Sequence, residues 1–328
     1  MRFFLHRQVL LCVVAASTAA GAELDKAGLE AALAKLVQGI DGRIGACVQA
    51  GERVACIRAE EKFSLQSVVK MAVGVAVLDS VDRGARRLTD AITVHKQDLS
   101  LYVQPLAKLV GPAGYRTTIG DLVRRAVIDS DSAATDILIA QLGGPAAVQD
   151  VLSAKGTSGI RIDRDERHLQ TEIVGLTWKP EYVDAAVLER AIAAVPAAKR
   201  QETYAKYQAD SRDTSTPQGM VAFLRRLAQG DLLSKGSTQF LMKAMNECRT
   251  FPDRLKAGLR PGWKVAHKTG TSGSWGGVTA ATNDVGVLTA PDGSSVSIAV
   301  FVADSRASST ARAALIARIC TEAIAHYR

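Results

Sequence analysis

The chain changes its hydrophobic period twice. Apolar residues recur at helical spacing in "ELDKAGLEAALAKLVQGI" (Glu23 to Ile40), after which "RIGACVQAGERVACIRA" alternates as two strands joined by a tight turn. From Ser67 to about Gly144 the pattern is mostly helical. It includes "TTIGDLVRRAVIDSDSAATDILIAQLGG", with Thr118 as a cap, a polar break at "DSDS" and Gly143-Gly144 as a stop. Residues from about Gly156 to Thr214 are mixed, with polar loops around "SGIRIDRDERHLQTE" and a helical piece "VDAAVLERAIAAV". "DTSTPQGMVAFLRRLAQG" then starts a new helix with Pro217 in its first turn. Period two returns in "GWKVAHKTG", "VTAATNDVGVLTA" and "SVSIAVFVAD", with "PDG" as a hairpin turn, and a closing helix runs from about Ala307 to Tyr327. Strands therefore lie at both ends and helices in the middle. The expected fold is α+β, of the sandwich type. One antiparallel sheet of about five strands, built from residues 23–65 and 215–328, is flanked by helices, and residues 66–214 form a mostly helical inserted domain.

Composition narrows the function classes. The 328 residues are 47% apolar and 23% charged, enough for one large core or roughly two domains. The net charge of +8 comes mostly from isolated Lys and Arg, and aromatics are only 5%, so no basic stripe interleaved with aromatics argues for nucleic acid. At the start, "MRFFLHR", the apolar "VLLCVVAAS" and the small residues Ala20 to Ala22 read as a signal peptide over residues 1–22. That run is too short to span a bilayer and no second span follows, so an exported, periplasmic or secreted protein without stable membrane insertion is expected. Export makes disulfides possible. With Gly51-Glu52 as a type II′ turn, Ala50 faces Arg53 and Cys47 faces Cys56. The two cysteines then form a non-hydrogen-bonded pair, close enough to bridge. A reduced pair is the other reading, and nothing in the sequence pairs or separates Cys248 and Cys320.

Three elements carry candidate chemistry. Ser67 begins a helix, where unpaired N–H groups can hold an oxyanion, and Lys70 follows one turn on, on the same face. Desolvation favours a neutral amine, which could take the hydroxyl's proton. The competing reading is a lysine whose stem crosses apolar surface to reach water. In "DSDSAA", Ser130 could relay a proton to a leaving nitrogen, although Ser and Asp also serve as ordinary caps. In "VAHKTGTSGSWGG", Lys268, Thr269 and Gly270 end a strand. Lys268 offers charge for a carboxylate, Gly270 lets a substrate lie along the strand edge, and the Thr271 N–H is a second oxyanion donor. The other reading of this segment is a glycine-rich hairpin loop with a surface lysine.

Taken together, S-x-x-K, S-D-x and K-T-G in this order resemble the serine β-lactamases and penicillin-binding proteins. "GRIGACV", "RDTSTPQGM" and "VAHKTGTSG…TNDVGV…FVADSR" read like class A, in a divergent, extended-spectrum-like branch. The resemblance implies the serine β-lactamase/D,D-peptidase fold and a Ser67 acyl-enzyme formed from penicillins and cephalosporins. It implies no metal or organic cofactor and a monomer with small-molecule β-lactam substrates. In "RDERHLQ", Glu166 matches the glutamate of E-x-x-L-N that activates the deacylating water on an omega loop. The family's asparagines are here Ser132 and Gln170, changes expected to alter spectrum or rate. Ser272 follows the third motif in the substrate-binding stretch, Arg254 matches an arginine that helps hold the substrate carboxylate, and Tyr102 offers an aromatic wall. A Ser-His-Asp hydrolase would need a G-x-S-x-G elbow, which is missing, so His168 and His267 are read as structural or surface residues. Zinc-ligand spacings are missing too. A D,D-peptidase or a β-lactam sensor domain is the remaining alternative.

Overall fold

In the computed structural model, which describes residues 23–328, the strands of the two chain ends meet in one sheet. The expected leader lies outside the described residues. The elements run α1 (Lys26–Val37), β1 (Arg43–Ala50), β2 (Arg53–Ile57), β3 (Phe63–Ser64), α2 (Val69–Asp82), β4 (Ala91–Val94), β5 (Tyr115–Thr118), α3 (Ile119–Ile128) and α4 (Ser132–Leu142). They continue with α5 (Pro145–Ala154), α6 (Glu166–Ile173), α7 (Ala185–Ala193), α8 (Ala197–Gln208), β6 (Thr214–Ser215), α9 (Pro217–Gln229) and α10 (Lys235–Asn246). The chain closes with β7 (Lys264–Thr271), β8 (Ser274–Trp275), β9 (Val278–Thr279), β10 (Thr282–Thr289), β11 (Ser295–Ala303) and α11 (Ser309–Ala325).

The sheet is antiparallel in the order β2-β1-β11-β10-β7, which leaves β7 as an open edge. Its strands are apolar on both faces, and alternation divides their side chains between two cores. Ile44, Ala46, Val48, Val296, Ile298, Val300 and Val302 pack with α1 and α11. Cys47, Val285, Val287, Ala299 and Phe301 face α2, α3, α4 and α9. Helix α2 sits within the second core with residues Val69 to Leu78 all buried, which is why it has no polar face.

Two corrections concern the middle of the chain. The stretch from Ser67 to Gly144 is interrupted by a two-stranded ribbon, Ala91↔Thr118 to Val94↔Tyr115, whose four-residue strands are too short to show a clear period. The strand expected from Val278 is also broken into β9 and β10. The hairpin register is as expected, with Ala50 opposite Arg53, Cys47 opposite Cys56 and Gly51 at φ +55°. The Cys47–Cys56 disulfide joins Cα atoms 4.2 Å apart. The Cys56 N–H points away from β1 and donates to Glu30 Oε1 at 3.2 Å, as a non-hydrogen-bonded pair requires. Cys248 and Cys320 are free and buried.

Candidate active site

The chain leaves β3 through a tight 3-10 turn, Gln66–Val68, before entering α2. Ser67 is held on that turn, half-buried at the floor of a cleft of about 350 Å³. Such a volume suits a small organic ligand. One helical turn on, Lys70 is 0% exposed, so the reading in which it reaches water is excluded. Its Nζ donates to Ser67 Oγ at 2.7 Å, to Glu166 Oε1 at 2.5 Å and to Ser132 Oγ at 3.5 Å. A buried charge requires such partners.

The polar break separates α3 from α4 and has a structural role as well. Asp131 caps α4 at Ala134 N (2.9 Å) and accepts from Leu106 N at 2.6 Å, while Ser132 N–H donates to Val103 O at 2.8 Å. Ser130 takes φ +60°, in the left-handed region, and receives Lys268 Nζ at 3.0 Å. Backbone strain at a non-glycine residue is a mark of functional positions. Burial pushes Lys268 down to about 8.

Glu166 is the first residue of α6, 4% exposed, and its N–H donates to Asp136 Oδ1 at 2.8 Å. Asp136 was not singled out from the sequence. It is buried in α4, takes Ser100 Oγ at 2.6 Å and Arg167 Nε at 3.2 Å, and anchors the glutamate-bearing loop. Burial, with the charges of Asp165 and Glu166, raises it to about 7. The available signal was a lone carboxylate in the apolar run "SAATDILIA". Gln170 lines the cleft and donates to Gln66 Oε1 at 3.0 Å.

Edge strand β7 completes the wall. Ser272 N–H donates to Ala281 O at 3.0 Å, so antiparallel alternation turns the backbone groups of Thr271 outward to the open edge. Thr271, Ser272 and Tyr102 line the cleft, and Tyr102 is 55% exposed with φ +58°. The neighbouring residues make contacts of their own. Gly270 packs closely against the Ser67 turn. A Cβ there would meet Leu65 O at 2.5 Å, so glycine allows β7 to approach the Ser67 turn. Thr269 Oγ1 lies 2.6 Å from Thr250 Oγ1. Arg254 lies behind the strand, 3% exposed, with donors to Asn283 O at 2.9 Å, Gly270 O at 3.2 Å and Thr271 Oγ1 at 2.7 Å. It braces the strand, because burial favours backbone carbonyl partners over solvent at that depth.

Of the two histidines read as structural or surface, His168 is exposed and His267 is buried. His267 Nδ1 bonds Asp284 Oδ1 at 2.8 Å. Burial opposes its charge, yet Asp284 prevails and raises it to about 9.

A family model described as the β-lactamase enzyme family matches residues 28–327. The extended-spectrum β-lactamase PER-1 of Pseudomonas aeruginosa is 33% identical over 264 residues, covering 80% of this chain and 75% of that protein. The β-lactamase VEB-1 of the same organism is 32% identical over 257 residues, covering 78% and 75%. A class A β-lactamase from Bacteroides cellulosilyticus superposes with a TM-score of 0.76 at 26% identity, covering 93% of this chain and 98% of that one. Sequence, fold and the arrangement around Ser67 converge, and the chain belongs to the class A β-lactamases, hydrolases of β-lactams.

Proposed function

We propose that the protein hydrolyses penicillins and cephalosporins through a Ser67 acyl-enzyme that Glu166 deacylates. The observation that carries this reading is Lys70 Nζ in contact with both Ser67 Oγ and Glu166 Oε1. A proton passed from Lys70 to Glu166 along that contact leaves a neutral amine beside the Ser67 hydroxyl. The amine takes the hydroxyl proton as Oγ bonds to the lactam carbonyl carbon. Glu166 acting through a water is the second route to the same step. The N–H groups of Ser67 and Thr271 hold the oxyanion. As the lactam C–N bond breaks, Ser130 passes its proton to the nitrogen, with the Lys268 ammonium beside it at 3.0 Å. Lys70 resupplies Ser130 with the proton it took from Ser67, and Glu166 returns the first proton to Lys70 and is ionised again. That ammonium, with Thr271 and Ser272, also serves the substrate carboxylate. Arg254 acts through Thr271, and Tyr102 forms the aromatic wall. The Glu166 carboxylate then takes a proton from a water whose oxygen attacks the ester, and that proton goes to Ser67 Oγ as the ester C–O bond breaks, releasing Ser67 and a ring-opened acid. The protein works as a monomer, exported once the leader is removed, and confers β-lactam resistance.

The test is mass spectrometry after mixing with a chromogenic cephalosporin. Glu166→Ala is expected to accumulate the acyl-enzyme and Ser67→Ala to form none. Wild-type turnover by Glu166→Ala would remove the deacylation role. In the wild-type protein, one equivalent consumed and a stable adduct left behind would instead mark a D,D-peptidase or sensor.

A further inference from the structure

Helices α7 and α8, which follow the glutamate-bearing loop, contribute Ile192, Arg200 and Tyr204 to the cleft. None of the catalytic roles above uses them. Their wall is held in place before any ligand binds. The Tyr204 hydroxyl lies 3.0 Å from Gly273 O and 2.9 Å from Val278 O, so its one proton goes to either carbonyl, and it accepts from Ala280 N. Trp275 gives its indole N–H to Gln201 Oε1 at 3.0 Å. The Arg200 guanidinium lies over the Trp275 ring, 4.2 Å from its centre, so the ring holds its flat face.

Two charged side chains line the cleft, Glu166 and Arg200. Glu166 is matched by Lys70. Arg200 has no such match: among the described residues no carboxylate comes within ion-pairing distance, and nearby Glu202 is held by Lys199 and Lys206. A guanidinium stacked on one face with its donor edge free, on the wall of a mostly apolar cleft, is built to receive an anion. Ser130 and Lys268, where the proposed reaction handles the ring nitrogen, do not line this cleft whereas Arg200 does, which leaves Arg200 for the acyl side chain.

We propose that Arg200, backed by Trp275, forms a subsite for β-lactams whose acyl side chain ends in a carboxylate. The subsite rests on the reading of Ser67 as the acylated residue, which sets where the side chain begins. Because Arg200 is half-exposed, its preference is modest and weakens with salt.

The experiment uses two cephalosporins identical except for a free carboxylate or its methyl ester at the end of the acyl side chain. The ratio of kcat/KM for acid over ester is measured in wild type, Arg200→Lys, Arg200→Gln and Arg200→Glu. We expect the ratio to fall about fivefold in Arg200→Gln and further in Arg200→Glu, to be largely kept in Arg200→Lys, and to shrink in wild type as salt is raised. An equal ratio in wild type, Arg200→Gln and Arg200→Glu overturns the subsite while leaving the acyl-enzyme reading intact. Failure of the wild-type protein to hydrolyse either cephalosporin overturns both readings together.

Discussion

Single residues set the proton traffic of the site. Lys70 and Lys268 are both wholly buried, but their surroundings differ: Lys70 meets a carboxylate, and the side-chain partner of Lys268 is the Ser130 hydroxyl. Burial without a carboxylate in contact is what brings Lys268 down to about 8. Below that pH the amine is charged and, in the proposed reaction, serves Ser130 and the substrate carboxylate. As pH rises through it the charge is lost, so kcat/KM for a carboxylate-bearing β-lactam is expected to fall above about pH 8. A pH–rate profile that stays level to pH 10 would contradict this role. Ser67 and Lys70 were legible together because three residues on a helix make one face. Gln66 and Asp136 were not, because their partners lie far along the chain: Gln66 contacts Gln170, and Asp136 contacts the Glu166 amide.

At the scale of elements, two close approaches carry predictions. Gly270→Ala places a Cβ 2.5 Å from the Leu65 carbonyl oxygen, so β7 and the Ser67 turn must separate. Overpacking of this kind costs roughly 1–3 kcal/mol. Thermal unfolding should show that loss, and kcat/KM should fall by an order of magnitude or more as Ser67 and the oxyanion donors move apart. Unchanged kinetics would mean that the two elements tolerate the separation. The disulfide closes a short loop, with a sequence separation of 9, so the chain-entropy estimate for its removal is about 2–3 kcal/mol. Melting in the presence of reductant should therefore begin several degrees lower, and coincident melts would show that the bridge adds nothing. Its pairing was readable from the turn alone, since a two-residue hairpin dictates every facing pair. The β4–β5 ribbon was not readable, because its order comes from packing and not from its own pattern.

For the whole molecule, the decisive junction lies where the helical part rejoins the sheet part. The boundaries proposed at residues 65 and 215 fall at the β3–β6 ladder, where Phe63 pairs with Ser215, and Ile160 bridges to Ser215 beside it. Arg164 ties the glutamate-bearing loop to this junction through Asp213 (2.6 Å), Glu172 (2.5 Å) and Asp210 (3.1 Å). Asp213 also accepts the amides of Asp163 and Arg164. Arg164→Ala leaves the buried Asp213 carboxylate without its cation, a loss of roughly 3–5 kcal/mol. It should lower the melting temperature and slow deacylation more than acylation, seen as a larger steady-state fraction of acyl-enzyme. Equal effects on both steps would place the clasp outside the positioning of Glu166. By itself the sequence determined that strands lie at both ends and helices between them, the hairpin register and the identity of the chemical motifs, because each depends on near neighbours or on residue type in a fixed order. The tertiary structure decided that Lys70 is buried against Glu166, that Gly270 serves a backbone contact, that Arg254 stands behind its strand, and that Asp136 and Arg200 frame the site. Those outcomes depend on which distant segments pack together, and local periodicity carries no record of that.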